Sequence, residues 1–142
     1  MAALKILAVE DEEVTRKLIS VGLRDEQQFE LCLVPNGEDA LEEYKRFRPD
    51  IVLLDIMMPH MNGYKVLQEI RTNLKDQKTT IIMISSVSEK SEIMACVKLG
   101  IQGYILKPFH AKALAETVLQ YHRKAKAASV KPQNGKAATT PA

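Results

Sequence analysis

Between two acids, the segment PDIVLLD at residues 49–55 carries Ile51, Val52, Leu53 and Leu54 without a polar interruption. An alternating strand can leave one face to water. A continuous apolar run must be covered on both faces, the condition of a central strand in a parallel sheet. That requirement limits the folds open to the chain to those that place helices on both sides of a sheet.

The rest of the chain supplies the elements for such a fold. Residues 3–9 (ALKILAV) read as a first strand, and residues 12–26 as a helix with Val14, Leu18, Ile19, Val21 and Leu23 near the helical period. Residues 29–34 (FELCLV) alternate as a strand near a sheet edge does, Pro35 to Gly37 turns, and residues 38–46 place Ala40, Leu41 and Tyr44 on one helical face. After the third strand, Asn62 caps a helix expected to run to about residue 72. Residues 79–84 (TTIIMI) form a fourth strand, residues 89–99 a helix stopped by Gly100, residues 103–106 a fifth strand and residues 110–126 a last helix. Five strands alternating with five helices predict an α/β, doubly wound parallel sheet joined by right-handed crossovers. In such sheets functional groups gather beyond the carboxyl ends of the strands.

Those ends carry an unusual set. The first strand leads into Glu10 and Asp11, the third into Asp55, the fourth into Ser85 and Ser86, and the fifth into Lys107 and Pro108. Two like charges about 4 Å apart repel by about 4 kcal/mol at an effective dielectric of 20. A cluster of three carboxylates must therefore take up protons or bind cations, and Lys107 supplies one positive charge. A hard divalent ion with oxygen ligands is the natural complement, and Mg²⁺ prefers few carboxylates together with waters and a phosphate oxygen. Asp55, held at the rim of a dry strand, is then a candidate nucleophile toward phosphorus, with Lys107, the Ser85 hydroxyl and the metal neutralising the transferring oxygens.

Bulk properties exclude several other classes. No apolar run approaches the roughly 18 residues needed to cross a bilayer, and the N-terminal MAALKILAVEDE has neither the basic region nor the long apolar stretch of a signal peptide, so a cytoplasmic protein without membrane association is expected. Cys32 and Cys96 match no metal-ligand spacing and are expected to be reduced, buried small hydrophobes. Residues 1–122 hold 15 Lys and Arg against 18 Asp and Glu, whereas residues 123–142 hold five bases and no acid. With no aromatic residue for stacking and no compact patch, those five bases do not argue for direct nucleic-acid binding. One domain over residues 1–128 and a flexible basic tail or linker stub over 129–142 are expected.

Taken together, ILAVEDEE, PDIVLLDIMMPHMNGYKVL, IIMISS and GYILKPF resemble, in order and spacing, the receiver domain of two-component response regulators over about residues 3–126. The resemblance implies a flavodoxin-like sheet of strand order 2-1-3-4-5. It also implies phosphorylation of Asp55 by a histidine kinase or histidine phosphotransfer protein. Mg²⁺, with Mn²⁺ as a substitute, would be bound by Asp11, Asp55 and the main-chain carbonyl of Met57, with Glu10 acting through a metal-bound water. Ser85 would bond a phosphoryl oxygen and Lys107 would pair with the phosphate, its peptide bond to Pro108 being cis. Tyr104 becomes the switch aromatic, moving inward as Ser85 shifts and altering the face of helix 4, strand 5 and helix 5 for an output protein. Glu10 stands where the commoner family residue is Asp.

Met57 and Val87 occupy the two positions that, in this family, flank the water attacking the acyl phosphate. Neither side chain can orient that water, so slow self-dephosphorylation is expected. The side chains of Met57, Met58 and Met61 are expected to pack in the loop and core, since thioethers are poor ligands for a hard cation. His60, His110 and His122 are expected at the surface without catalytic work.

Two other functions are weighed against this one. A phosphatase or phosphotransferase with an aspartyl intermediate places a second acid two residues beyond the nucleophile, where this chain has Met57. A nucleotide- or flavin-binding module needs a glycine-rich phosphate loop after the first strand, where VEDEE stands instead. The chain is expected to catalyse only its own phosphorylation and dephosphorylation. The kinase, the output protein, homodimerisation on phosphorylation, and whether the receiver stands alone or within a larger regulator all stay open at this level.

Overall fold

A computed structural model describes residues 2–129, so residues 130–142 of the expected tail lie outside the described residues. Five strands, β1 (Leu4–Val9), β2 (Phe29–Val34), β3 (Ile51–Leu54), β4 (Thr80–Ser85) and β5 (Gly103–Leu106), form one sheet in the order β2-β1-β3-β4-β5. Every neighbouring pair is parallel. The helices are α1 (Glu13–Gly22), α2 (Gly37–Phe47), α3 (Gly63–Gln68), α4 (Lys90–Leu99) and α5 (Ala111–Ser129). The doubly wound α/β architecture is the one expected, including the strand order.

β3 explains why its sequence is apolar throughout. Val52 and Leu54 belong to a core cluster with Ala40 and Phe47 of α2, Val66 and Leu67 of α3, and Cys96 of α4. Ile51 and Leu53 belong to a second cluster on the opposite face with Ile19 of α1 and Leu114 and Val118 of α5. All four β3 residues are essentially inaccessible to water. The register matches Val9 to Val34 and Leu54, Leu54 to Met83, and Ser85 to Leu106, which aligns the strands' carboxyl ends along one edge.

Several local expectations need correction. The first helix ends at Gly22 rather than near residue 26 because Asp25 forms a turn of its own, its carboxylate accepting from the Gln27 N–H at 3.0 Å and its carbonyl from the Phe29 N–H at 2.9 Å. Of its apolar residues, only Ile19 and the following Leu23 are buried; Val14, Leu18 and Val21, at i, i+4 and i+7, face outward. α3 runs on into a π-helical turn, Glu69–Asn73, which directs Arg71 inward. His122 is not at the surface: it is buried beneath α5, with Nδ1 2.8 Å from the Thr80 hydroxyl. His60 and His110 are exposed as expected. Cys96 is buried, whereas Cys32 is only partly so, its thiol 3.8 Å from a Glu43 carboxylate oxygen.

Candidate functional site

The aligned strand ends bring Glu10, Asp11 and Asp55 together, with one carboxylate oxygen from each within 4.8 Å of the others. Glu10 and Asp55 are almost wholly buried; Asp11 is half-exposed. Main-chain bonds extend the sheet to this edge, the Glu10 N–H donating to the Val34 carbonyl at 3.1 Å and the Asp55 N–H to the Val9 carbonyl at 3.1 Å. Lys107 crosses from the end of β5, anchored by its own N–H to the Ser85 carbonyl at 3.0 Å. Its ammonium nitrogen lies 3.0 Å from Glu10 Oε1 and 3.3 Å from Asp55 Oδ2, with Glu12 Oε1 farther away at 3.7 Å. The Lys107–Pro108 peptide bond is cis.

Charge in this site is out of balance. Burial pushes the Glu10 carboxyl up to about 7, against the Lys107 hydrogen bond, while the Asp55 charge pushes it the same way as burial. Burial likewise raises Asp55, although the Lys107 charge and hydrogen bond oppose it. Burial alone would lower Lys107, but its bond to Glu10 and the Asp55 and Glu10 charges hold it above the ordinary lysine value. Glu10 Oε2 accepts from Lys107 Nζ and from the Glu12 N–H, both at 3.2 Å. Oε1, although at ion-pairing distance from the ammonium, has no aligned hydrogen-bond donor. A buried carboxylate oxygen without a donor, beside two more carboxylates, is a set of hard oxygen ligands short of positive charge. The residues fit a small divalent cation.

The remaining expected residues surround this cluster. Asp55 Oδ1 accepts from the Met57 N–H at 3.3 Å, which sets the Met57 main chain beside the acids while its side chain stays 62% exposed. Ser85 is fully buried, and its hydroxyl oxygen accepts from the Val87 N–H at 3.2 Å. Tyr104 donates its hydroxyl to the Val87 carbonyl at 2.7 Å, so Ser85, Val87 and Tyr104 form one connected chain of contacts. Val87 itself is half-buried against the core.

Two residues given no role in the sequence reading, Arg16 and Gly63, also shape the site. Arg16 Nη1 donates to the Glu10 carbonyl at 2.9 Å, securing the turn that presents two of the acids. Gly63 lies so close under the loop after β3 that a β-carbon there would meet the Asp55 carbonyl oxygen at 2.0 Å. The Gly63 N–H also donates to the Ile56 carbonyl at 3.0 Å. Gly63 follows the helix-capping Asn62, a signal for a tight turn, but no local spacing ties Arg16 to Glu10.

Comparison with known proteins identifies the family and the fold. Residues 6–119 match the family model described as the response regulator receiver domain. A probable transcriptional regulator ycf27 of Porphyridium aerugineum is 35% identical over 125 residues, 88% of this chain and 50% of the relative, so the chain spans about half the length of that protein. The chemotaxis protein CheY of Halobacterium salinarum is 35% identical over 82% of this chain and 94% of its own length. The solved structure of chemotaxis protein CheY4 from Vibrio cholerae superposes with a TM-score of 0.77 at 27% identity, covering 84% of this chain and 99% of that one. The chain belongs to the response regulator receiver domain family of two-component signalling.

Proposed function

We propose that this chain is a phosphorylation switch whose acceptor is Asp55 and whose donor is a histidine kinase or histidine phosphotransfer protein. The observation that carries this reading is the clustering of Glu10, Asp11 and Asp55 at the carboxyl edge of the sheet, with Lys107 Nζ 3.0 Å from Glu10 and 3.3 Å from Asp55. In the transfer, an Asp55 carboxylate oxygen bonds to phosphorus as the phosphorus–nitrogen bond of the donor phosphohistidine breaks, and the imidazole leaves with the bonding pair. Lys107 holds Asp55 in place beforehand and pairs with the phosphoryl oxygens afterwards. The Ser85 hydroxyl donates to one of those oxygens. Asp11, Asp55 and the Met57 carbonyl, with Glu10 through a water, would hold Mg²⁺ or Mn²⁺, which neutralises charge on the transferring oxygens.

Turning Ser85 toward the phosphoryl group removes the oxygen that now accepts from the Val87 N–H, and Val87 in turn carries the Tyr104 hydrogen bond. A charge change at Asp55 thereby biases the α4, β5 and α5 face on which an output protein acts. The receiver occupies residues 1–128 and acts in the cytoplasm; among the described residues no helix is long and apolar enough to cross a membrane. Its only chemistry is on itself, the gain and loss of one phosphoryl group.

Incubation of the full chain with a small phosphodonor and Mg²⁺ tests the reading by mass spectrometry. One phosphate per chain is expected, lost in Asp55→Asn. Equal labelling of that variant would overturn the assignment, and repeated turnover of donor would favour an aspartyl-phosphate phosphatase instead.

A further inference from the structure

α4 is held to the molecule by little apolar burial. Of its ten residues only Cys96 is buried, its N-cap Glu89 makes no side-chain capping bond, and Met94 and Val97 are 45% and 46% exposed. Most helical stability in proteins comes from packing of an apolar face, so a helix with one buried residue needs another tether.

The tether lies at its C-terminal end. Gly100 closes α4 in the left-handed region at φ 109°, with its N–H bonded to the Cys96 and Val97 carbonyls, both at 3.0 Å. The Gly100 carbonyl accepts from Arg71 Nε at 2.9 Å. The same guanidinium donates through Nη1 to the Asp76 carbonyl at 2.9 Å, and through Nη2 to the Thr79 carbonyl at 2.9 Å and Gln102 Oε1 at 3.0 Å. Gln102 is itself fixed to β4, its Oε1 accepting from the Ile81 N–H and its N–H donating to the Ile81 carbonyl, both at 2.8 Å.

Arg71 is only 4% exposed, and among the described residues no carboxylate oxygen stands within ion-pairing distance of it. Its hydrogen bonds go to neutral acceptors, one of which belongs to the negative end of the α4 dipole. One side chain thus joins the π-helical turn after α3, the connection to β4, and the turn between α4 and β5. The opposite end of α4 follows the Ser85, Val87 and Tyr104 contacts, about 15 Å away for ten residues of helix.

We propose that Arg71 is a pivot for α4, fixing the C-terminal end of the helix and leaving its N-terminal end as the one that moves. The pivot stands on the unmodified structure. Only its use as a relay from Asp55 rests on the function proposed above.

Amide hydrogen exchange on the full chain tests this in three parts. In the unmodified protein, the Gly100 amide is expected to exchange more slowly than those of Glu92 and Ile93, all three being hydrogen-bonded; equal rates, or the reverse order, overturn the pivot. In Arg71→Gln, the amides of α4 should accelerate at least about 10-fold relative to those of Leu53 and Ile82, which report global opening. Acceleration of helix and strands by the same factor would mean that Arg71 serves stability alone. Should that variant fail to fold, the gradient in the unmodified chain still decides the matter. With phosphodonor and Mg²⁺, exchange should change at Glu92 and Ile93 and stay constant at Gly100; equal change at all three overturns the pivot. Failure to take up phosphate counts against Asp55 as acceptor and leaves the first two measurements to judge the pivot.

Discussion

In the proposed switch, slow loss of the acyl phosphate is expected at Met57 and Val87, because neither offers a group to orient an attacking water. Replacing them together, as Met57→Asn with Val87→Glu, is expected to shorten that lifetime by at least about 10-fold, read as decay of labelled protein after the donor is removed. Unchanged decay would show that these side chains do not control water access. At the neighbouring Gly63 the constraint is steric. Gly63→Ala is expected to cost about 1–3 kcal/mol in urea unfolding, because its β-carbon lands on the Asp55 carbonyl and one of the two segments must move. The acids, Ser85 and Lys107 were legible in the sequence because strand ends follow from strand assignment. Arg16 was not, since its bond to Glu10 depends on how far one side chain reaches back over the start of α1.

At the scale of elements, α5 packs His122 against the first residue of β4, Thr80. Burial lowers the pKa of His122 below its ordinary 6.5; the Lys126 charge on the same helix adds to this and the Asp50 charge opposes it. The unfolded chain therefore takes up a proton below pH 6.5 that the folded chain resists. The contribution is whole above about pH 6.5 and declines as pH falls through the lower folded value. His122→Gln should lose less stability than the parent when urea unfolding at about pH 7.5 is compared with about pH 5; equal losses would exclude His122 as the source. The sequence pattern located α1 to α5 but did not assign the faces of α1. Val14, Leu18 and Val21 follow the helical repeat as well as Ile19 and Leu23 do, and only the sheet's position makes the first three outward. The π-helical turn after α3 was equally hidden, because one inserted residue per turn leaves no compositional mark.

For the molecule as a whole, the two core layers and the acid cluster oppose one another. Leu67→Ala, in the layer formed with α2 and α3, is expected to destabilise by about 2–5 kcal/mol in urea unfolding. Mg²⁺ should act in the other direction, adding about 2.7 kcal/mol at 100 times its dissociation constant, and Asp11→Asn should weaken that gain. A thermal midpoint indifferent to Mg²⁺ would remove the cation from the site. The layered architecture was readable from the chain because β3 could be satisfied only between two helical layers, whereas the strand order came from the family resemblance. The donorless Glu10 oxygen was not, because it depends on hydrogen-bond direction rather than on residue type. The order of the parts along the chain has a further consequence for biosynthesis. Lys107 lies 52 residues after Asp55 and 97 after Glu10, so a growing polypeptide carries its cluster of acids long before the cation that gathers them has left the ribosome. A copy that ends before β5 lacks Lys107, so on the proposed function a phosphodonor protein meets the complete site only once β5 has been translated and docked.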